Sequence, residues 1–168
     1  THGMNASGPH LCYAAQAARR LGADLLNLGS AGSAYCEHAI ADYIAERRDW
    51  HMASLALSVN MRGFSLDEFY ERVSYMVNTV AGSDTSRPVA CITLFTFFDD
   101  EGIKPPREVT PKSSADSMRE RLRAAVKACP HPNVYLIEGR EILTDCAGLT
   151  PDLAHPADNG MIEMGENL

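Results

Sequence analysis

Short apolar runs alternate along this chain with amphipathic stretches of about 12–18 residues, and that order constrains the fold more than any other feature. The runs are Asp24–Gly29, Met52–Val59, Val89–Phe97 and Asn133–Glu138. Each is short and apolar enough to be a strand buried on both faces. The intervening stretches have helical spacing. A helix opening near Pro9 carries Leu11, Ala14, Ala15, Ala18 and Leu21 on one face and ends at Gly22. Tyr35–Arg48 predicts a helix with Ile40 and Ile44 inward. Ser65-Leu66-Asp67-Glu68 is an S-x-x-E capping pattern that starts a helix reaching about Ala81. Ser113–Cys129 places Met118, Leu122, Ala125 and Val126 on one face, and Pro156–Leu168 is a final short helix. Strands separated by helices require crossovers, hence a parallel sheet covered on both faces: a three-layer α/β/α arrangement.

At 168 residues the chain is long enough for one domain. Its net charge of −7 argues against a general nucleic-acid binder, which needs excess Lys and Arg over the phosphate backbone. No apolar run approaches the roughly 18 residues that span a bilayer. The opening Thr1-His2-Gly3 has neither an initiating Met nor the basic start of a secretory signal, so a mature or truncated start is expected. The cysteines (12, 36, 91, 129 and 146) are odd in number and include no C-x-x-C pair. They fit reduced thiols in a cytoplasm better than a zinc site or a disulfide framework.

In parallel sheets ligands sit beyond the carboxyl ends of the strands, so the segments following each run carry the information. After the first comes Asn27-Leu28-Gly29-Ser30-Ala31-Gly32-Ser33. Such glycines suit either an anion held by backbone N–H groups or a plain strand-to-helix turn. After the second comes Ser58-Val59-Asn60-Met61. Asn60 could cap a turn, or its amide could face a developing oxyanion. Near the end comes Asp152-Leu153-Ala154-His155-Pro156. Three residues apart in a loop, the carboxylate can hold imidazole Nδ1 and leave Nε2 as a base. A metal pair or a solvated loop would also fit that spacing alone.

Together these segments resemble the SGNH (GDSL-type) hydrolases over essentially the whole chain. Thr1-His2-Gly3 resembles the tail of the Gly-Asp-Ser-Leu-Thr-x-Gly block, Gly32 matches the second-block glycine, Asn60 the third-block asparagine, and Asp152 and His155 the D-x-x-H. The resemblance implies a flavodoxin-like parallel sheet of order 2-1-3-4-5. It also implies an ester hydrolase with a Ser-Asp-His triad, and Gly32 and Asn60 as oxyanion donors. No metal or organic cofactor is implied. The expected substrate is a short acyl or acetyl ester of a carbohydrate or small molecule. Two departures stand out. The third block, usually Gly-x-Asn-Asp, reads Ser58-Val59-Asn60-Met61, and the nucleophilic serine would lie two residues before Thr1. Residues 1–168 would then be a domain lacking its first strand, in some relatives preceded by a β-sandwich. Ser7, Ser30 and Ser33 are nearby hydroxyls, but Ser7 suits a helix cap and the other two the oxyanion turn. Asp99–Lys112, with Lys104, Arg107 and Lys112, follows the strongest strand and is either a substrate-selecting lid or a solvated connection. A catalytically inactive interaction domain and a phosphate-ligand binding domain of the same shape are the alternatives.

Overall fold

The computed structural model describes residues 3–103 and 113–168. Its elements run α1 (Tyr13–Leu21), α2 (His38–Glu46), β1 (Ala53–Ala56), α3 (Leu66–Ser83), β2 (Val89–Ile92), α4 (Ala115–Ala128), β3 (Val134–Ile137), α5 (Gly139–Ile142) and α6 (Asp158–Asn167). The strands form a parallel sheet in the order β1-β2-β3, with Ala53, Val89 and Val134 in register. Helix α3 connects the first pair and α4 the second. The fold is therefore α/β, as the alternation predicts. The chain divides into two compact units: the described residues of 34–94 and 109–138, and those of 1–33, 95–108 and 139–168.

The sheet belongs to the first unit, and its core follows the two periodicities. Leu55, Val89 and Cys91 project from one face of the strands onto Phe69, Val73, Met76, Val77 and Val80 of α3 and Met118, Leu122 and Ala125 of α4. Each large side chain so buried contributes roughly 1.5–3 kcal/mol. Ser65 caps α3 as its pattern predicts, its Oγ accepting from the Glu68 N–H at 3.2 Å. The Glu68 carboxylate pairs with Arg72, one turn along.

Several expectations are corrected. Residues 24–29 are not a strand. A strand exists only as a ladder, and this run pairs with none among the described residues. Leu25, Leu26 and Leu28 are 45, 56 and 43% exposed. Tyr35–Arg48 shortens to α2, whose inward face centres on Ala41 and Ile44, while Ile40 points outward. The run Val89–Phe97 is a strand only to Ile92, because β3 ends at Ile137. The Thr93 N–H takes the Ile137 carbonyl at 3.0 Å, and the Thr93 hydroxyl donates to Glu138 at 2.8 Å. Arg123 holds Glu138 from the other side and keeps its carboxyl below the usual range.

Arg119 is a surprise on α4, wholly buried beside Met118 and Leu122. Its guanidinium donates to the Leu94 carbonyl at 2.9 Å and to Asp116 at 3.0 Å, which offsets the cost of burying the charge and ties down the chain as it leaves β2.

In the second unit α1 lies against α6 at a small-residue contact, where a Cβ on Gly165 would stand 2.6 Å from the Gln16 Cβ. Ser7 does not cap α1. A short 3₁₀ turn, Pro9–Leu11, intervenes, and the Ser7 N–H instead donates to Asp158 at 2.8 Å near the start of α6.

Candidate active site

The loop between α5 and α6 is shaped by one carboxylate. Asp152 Oδ1 accepts from the backbone N–H groups of Ala154 and His155, both at 2.9 Å, and from the Thr150 hydroxyl at 2.8 Å. Its Oδ2 lies 2.6 Å from His155 Nδ1. Burial pushes this carboxyl up. The two backbone bonds, the imidazole and the Thr150 hydroxyl together outweigh burial and hold it well below the usual carboxylate range. An ionised carboxylate only accepts, so Nδ1 carries the proton and Nε2 of the neutral ring carries the lone pair. The structure thus brings Asp152 and His155 together through Nδ1.

The loop is anchored on both sides. Thr150 and His155 are joined by an N–H to carbonyl bond of 2.8 Å, and Leu149 and Pro156 form an antiparallel bridge. Downstream, α6 starts against the 146–148 turn at backbone contact. A Cβ on Gly160 would lie 2.1 Å from the Gly148 carbonyl oxygen, so only glycine fits there. Leu153, between Asp152 and His155, has φ +55°, a left-handed conformation unfavourable for a non-glycine residue. Neither the strain nor these anchors are visible in the D-x-x-H spacing.

Gly32 belongs to the same unit. It sits in an exposed turn with φ +67°, closed by a 2.6 Å hydrogen bond between the Ser30 and Ser33 hydroxyls. Asn60 belongs to the sheet-bearing unit, half-buried in the 3₁₀ turn Val59–Met61 just beyond β1. Thr1 and His2, and Lys104, Arg107 and Lys112, lie outside the described residues. The described start of the 99–112 segment is a 3₁₀ turn, Phe98–Glu101. Among the described residues no group of three His, Cys, Asp or Glu side chains could hold a metal, and none of the five cysteines is in a disulfide. No helix among them is long and apolar enough to cross a membrane.

The family model of the GDSL-like lipases and acylhydrolases matches residues 1–168. The chain belongs to this family. No match was found among curated protein sequences. Solved structures show the same fold. One is a salicylyl-acyltransferase, SsfX3, from a tetracycline biosynthetic pathway, with a TM-score of 0.80 and 19% identity over 99% of this chain and 49% of that one. Another is a protein described as a GDSL-like lipase, from Bacteroides ovatus, at 0.78 and 22% over 96% of this chain and 46% of that one. A carbohydrate esterase of family 3 from Talaromyces cellulolyticus scores 0.63 at 11% identity, over 99% of this chain and 89% of that one. The chain spans about half the length of the first two.

The third-block departure of this GDSL-like chain has a structural consequence. Ser58 stands where that block usually has glycine, and its φ is +147° with ψ −54°, backbone that glycine adopts far more readily than serine. Ser58 is also buried, and its hydroxyl has no hydrogen-bond partner among the described residues. Relief of strain and loss of an unpaired hydroxyl outweigh the extra unfolded-state freedom of glycine. Ser58→Gly should therefore stabilise the protein by roughly 1–2 kcal/mol. Urea unfolding checks this through a raised midpoint at unchanged slope.

Proposed function

We propose that the full-length protein hydrolyses carboxylic esters with a Ser-His-Asp triad whose serine lies just upstream of Thr1. The Asp152–His155 geometry carries this reading: a 2.6 Å bond to Nδ1 from a carboxylate kept ionised by two backbone N–H groups. The serine Oγ attacks the acyl carbon while His155 Nε2 takes its proton. The tetrahedral intermediate collapses, the C–O bond to the alcohol breaks, and Nε2–H supplies the leaving alcohol with that proton. Water then repeats the sequence on the acyl-enzyme and releases the acid. Asp152 orients the ring and stabilises the imidazolium. The N–H of Gly32, the side-chain amide of Asn60 and the serine's own N–H hold the oxyanion.

The proposed substrate is a short acyl or acetyl ester of a carbohydrate or small molecule. Transfer of the acyl group to an alcohol instead of water would use the same groups.

The serine-bearing strand is proposed to pair with the free side of β1, which among the described residues pairs only with β2.

Turnover of p-nitrophenyl acetate by the full-length protein tests the activity. Asn60→Ala should lower kcat by about 10²–10³-fold, the cost of one oxyanion donor. Absence of turnover would favour a catalytically inactive domain of the same fold.

A further inference from the structure

Leu153 holds an unfavourable backbone conformation between the acid and the base, and such strain persists only where neighbours over-determine it. One restraint is internal: the Leu153 N–H donates to the Thr150 carbonyl at 2.8 Å. The other comes from residues distant in sequence, because the Leu153 carbonyl accepts from the Phe98 N–H at 3.0 Å. Phe98 opens the Phe98–Glu101 turn, and Asp100 shapes that turn. The Asp100 carboxylate accepts from the Phe97 N–H at 3.1 Å, while its backbone N–H donates to the Phe97 carbonyl at 2.9 Å. The same carboxylate, nearly buried, is held by Arg140 of α5.

We propose that Asp100, fixed by Arg140, is a positioning residue for the catalytic pair. The ion pair sets the 97–101 turn, the turn aims the Phe98 N–H at the Leu153 carbonyl, and that bond keeps Leu153 left-handed. With Leu153 so held, Asp152 Oδ1 faces the N–H groups of Ala154 and His155, and Oδ2 faces Nδ1. Freed, Leu153 relaxes, the carboxylate loses its backbone donors and the imidazole turns. Arg140 acts through this chain of contacts. The catalytic consequence rests on the triad reading above, whereas the geometric one does not.

The test uses the full-length protein, with kcat and KM for p-nitrophenyl acetate and the far-downfield proton signal of His155 Nδ1–H as readouts. Asp100→Ala should lower kcat by about 10–100-fold with little change in KM, the scale of a misplacement near 1 Å, and should weaken or abolish the signal. Arg140→Ala should act in the same direction, and Arg140→Lys should restore much of the loss. Glu166→Gln, which alters an exposed pair with Arg20 elsewhere in this unit, should change neither readout. If Asp100→Ala does not fold, the half-exposed Arg140 series decides. Equal kcat and an intact signal in Arg140→Ala, Arg140→Lys and the parent protein would overturn the proposal. If the parent shows the signal but no ester turnover, the triad reading fails, and the signal alone judges the positioning chain.

Discussion

His155→Ala should lower ester turnover by the full-length protein about 10⁴–10⁶-fold, with KM little changed, because the imidazole acts in the transition state rather than in binding. Asp152→Asn should be severe but smaller. Its side-chain oxygen can still accept from the Ala154 and His155 N–H groups and keep the loop folded. At the other position the carboxylate oxygen facing Nδ1 becomes an amide NH₂, a donor aimed at a donor. The ring then takes the other tautomer and presents Nε2–H to the serine, so the base is lost while the geometry stays. Asp152 remains ionised far below neutral pH, so its own protonation should leave no step in the kcat profile near neutrality. Steady-state kinetics on the two variants, with thermal melts to show both are folded, check the pair. Undiminished turnover in His155→Ala would remove the assignment.

Residues 1–168 expressed alone should lack cooperative thermal unfolding and esterase activity, and about 15–20 added upstream native residues should restore both, enough for the serine-bearing strand and its approach. The argument is energetic. On the proposed pairing, a serine-bearing strand of about five residues satisfies several backbone groups of β1, each worth ~1–3 kcal/mol where buried. That sum is a large part of the ~5–15 kcal/mol stability of a domain. A short version that melts cooperatively and cleaves ester would contradict the account, and would direct mutagenesis to Ser7, Ser30 and Thr1.

Much of this fold is legible in the order of its residues, for reasons particular elements make plain. Helix α4 is evident because Met118, Leu122 and Ala125 recur at helical spacing on a stretch with a serine cap, and local chemistry sets both. Helix α3 is evident for the same reason at Ser65. The misreadings all concern partners. Residues 24–29 have strand-like composition, but a ladder needs a second strand, and composition does not supply one. Ile40 has the right character for a core, yet the inward face of α2 is decided by what packs on Ala41 and Ile44. Arg119 is invisible as a core residue because its burial depends on the Leu94 carbonyl, 25 residues away. At the site, the contact between Asp152 and His155 is legible in the D-x-x-H spacing because it spans three residues. The supports of that bond come from Phe98, Asp100 and Arg140, which no local pattern connects to it.

The central claim is that the Asp152–His155 pair, the Gly32 N–H and the Asn60 amide serve one reacting centre. The structure of the full-length protein after reaction with a phosphonate ester tests this most directly, because the phosphonyl oxygen stands where the oxyanion forms. The account predicts phosphorus on a serine just upstream of Thr1. It predicts the phosphonyl oxygen at about 2.7–3.1 Å from both the Gly32 nitrogen and the Asn60 amide nitrogen, with His155 Nε2 beside the serine oxygen. Phosphorus on a serine within residues 1–168, or an Asn60 amide directed away from the phosphonyl oxygen, would contradict it.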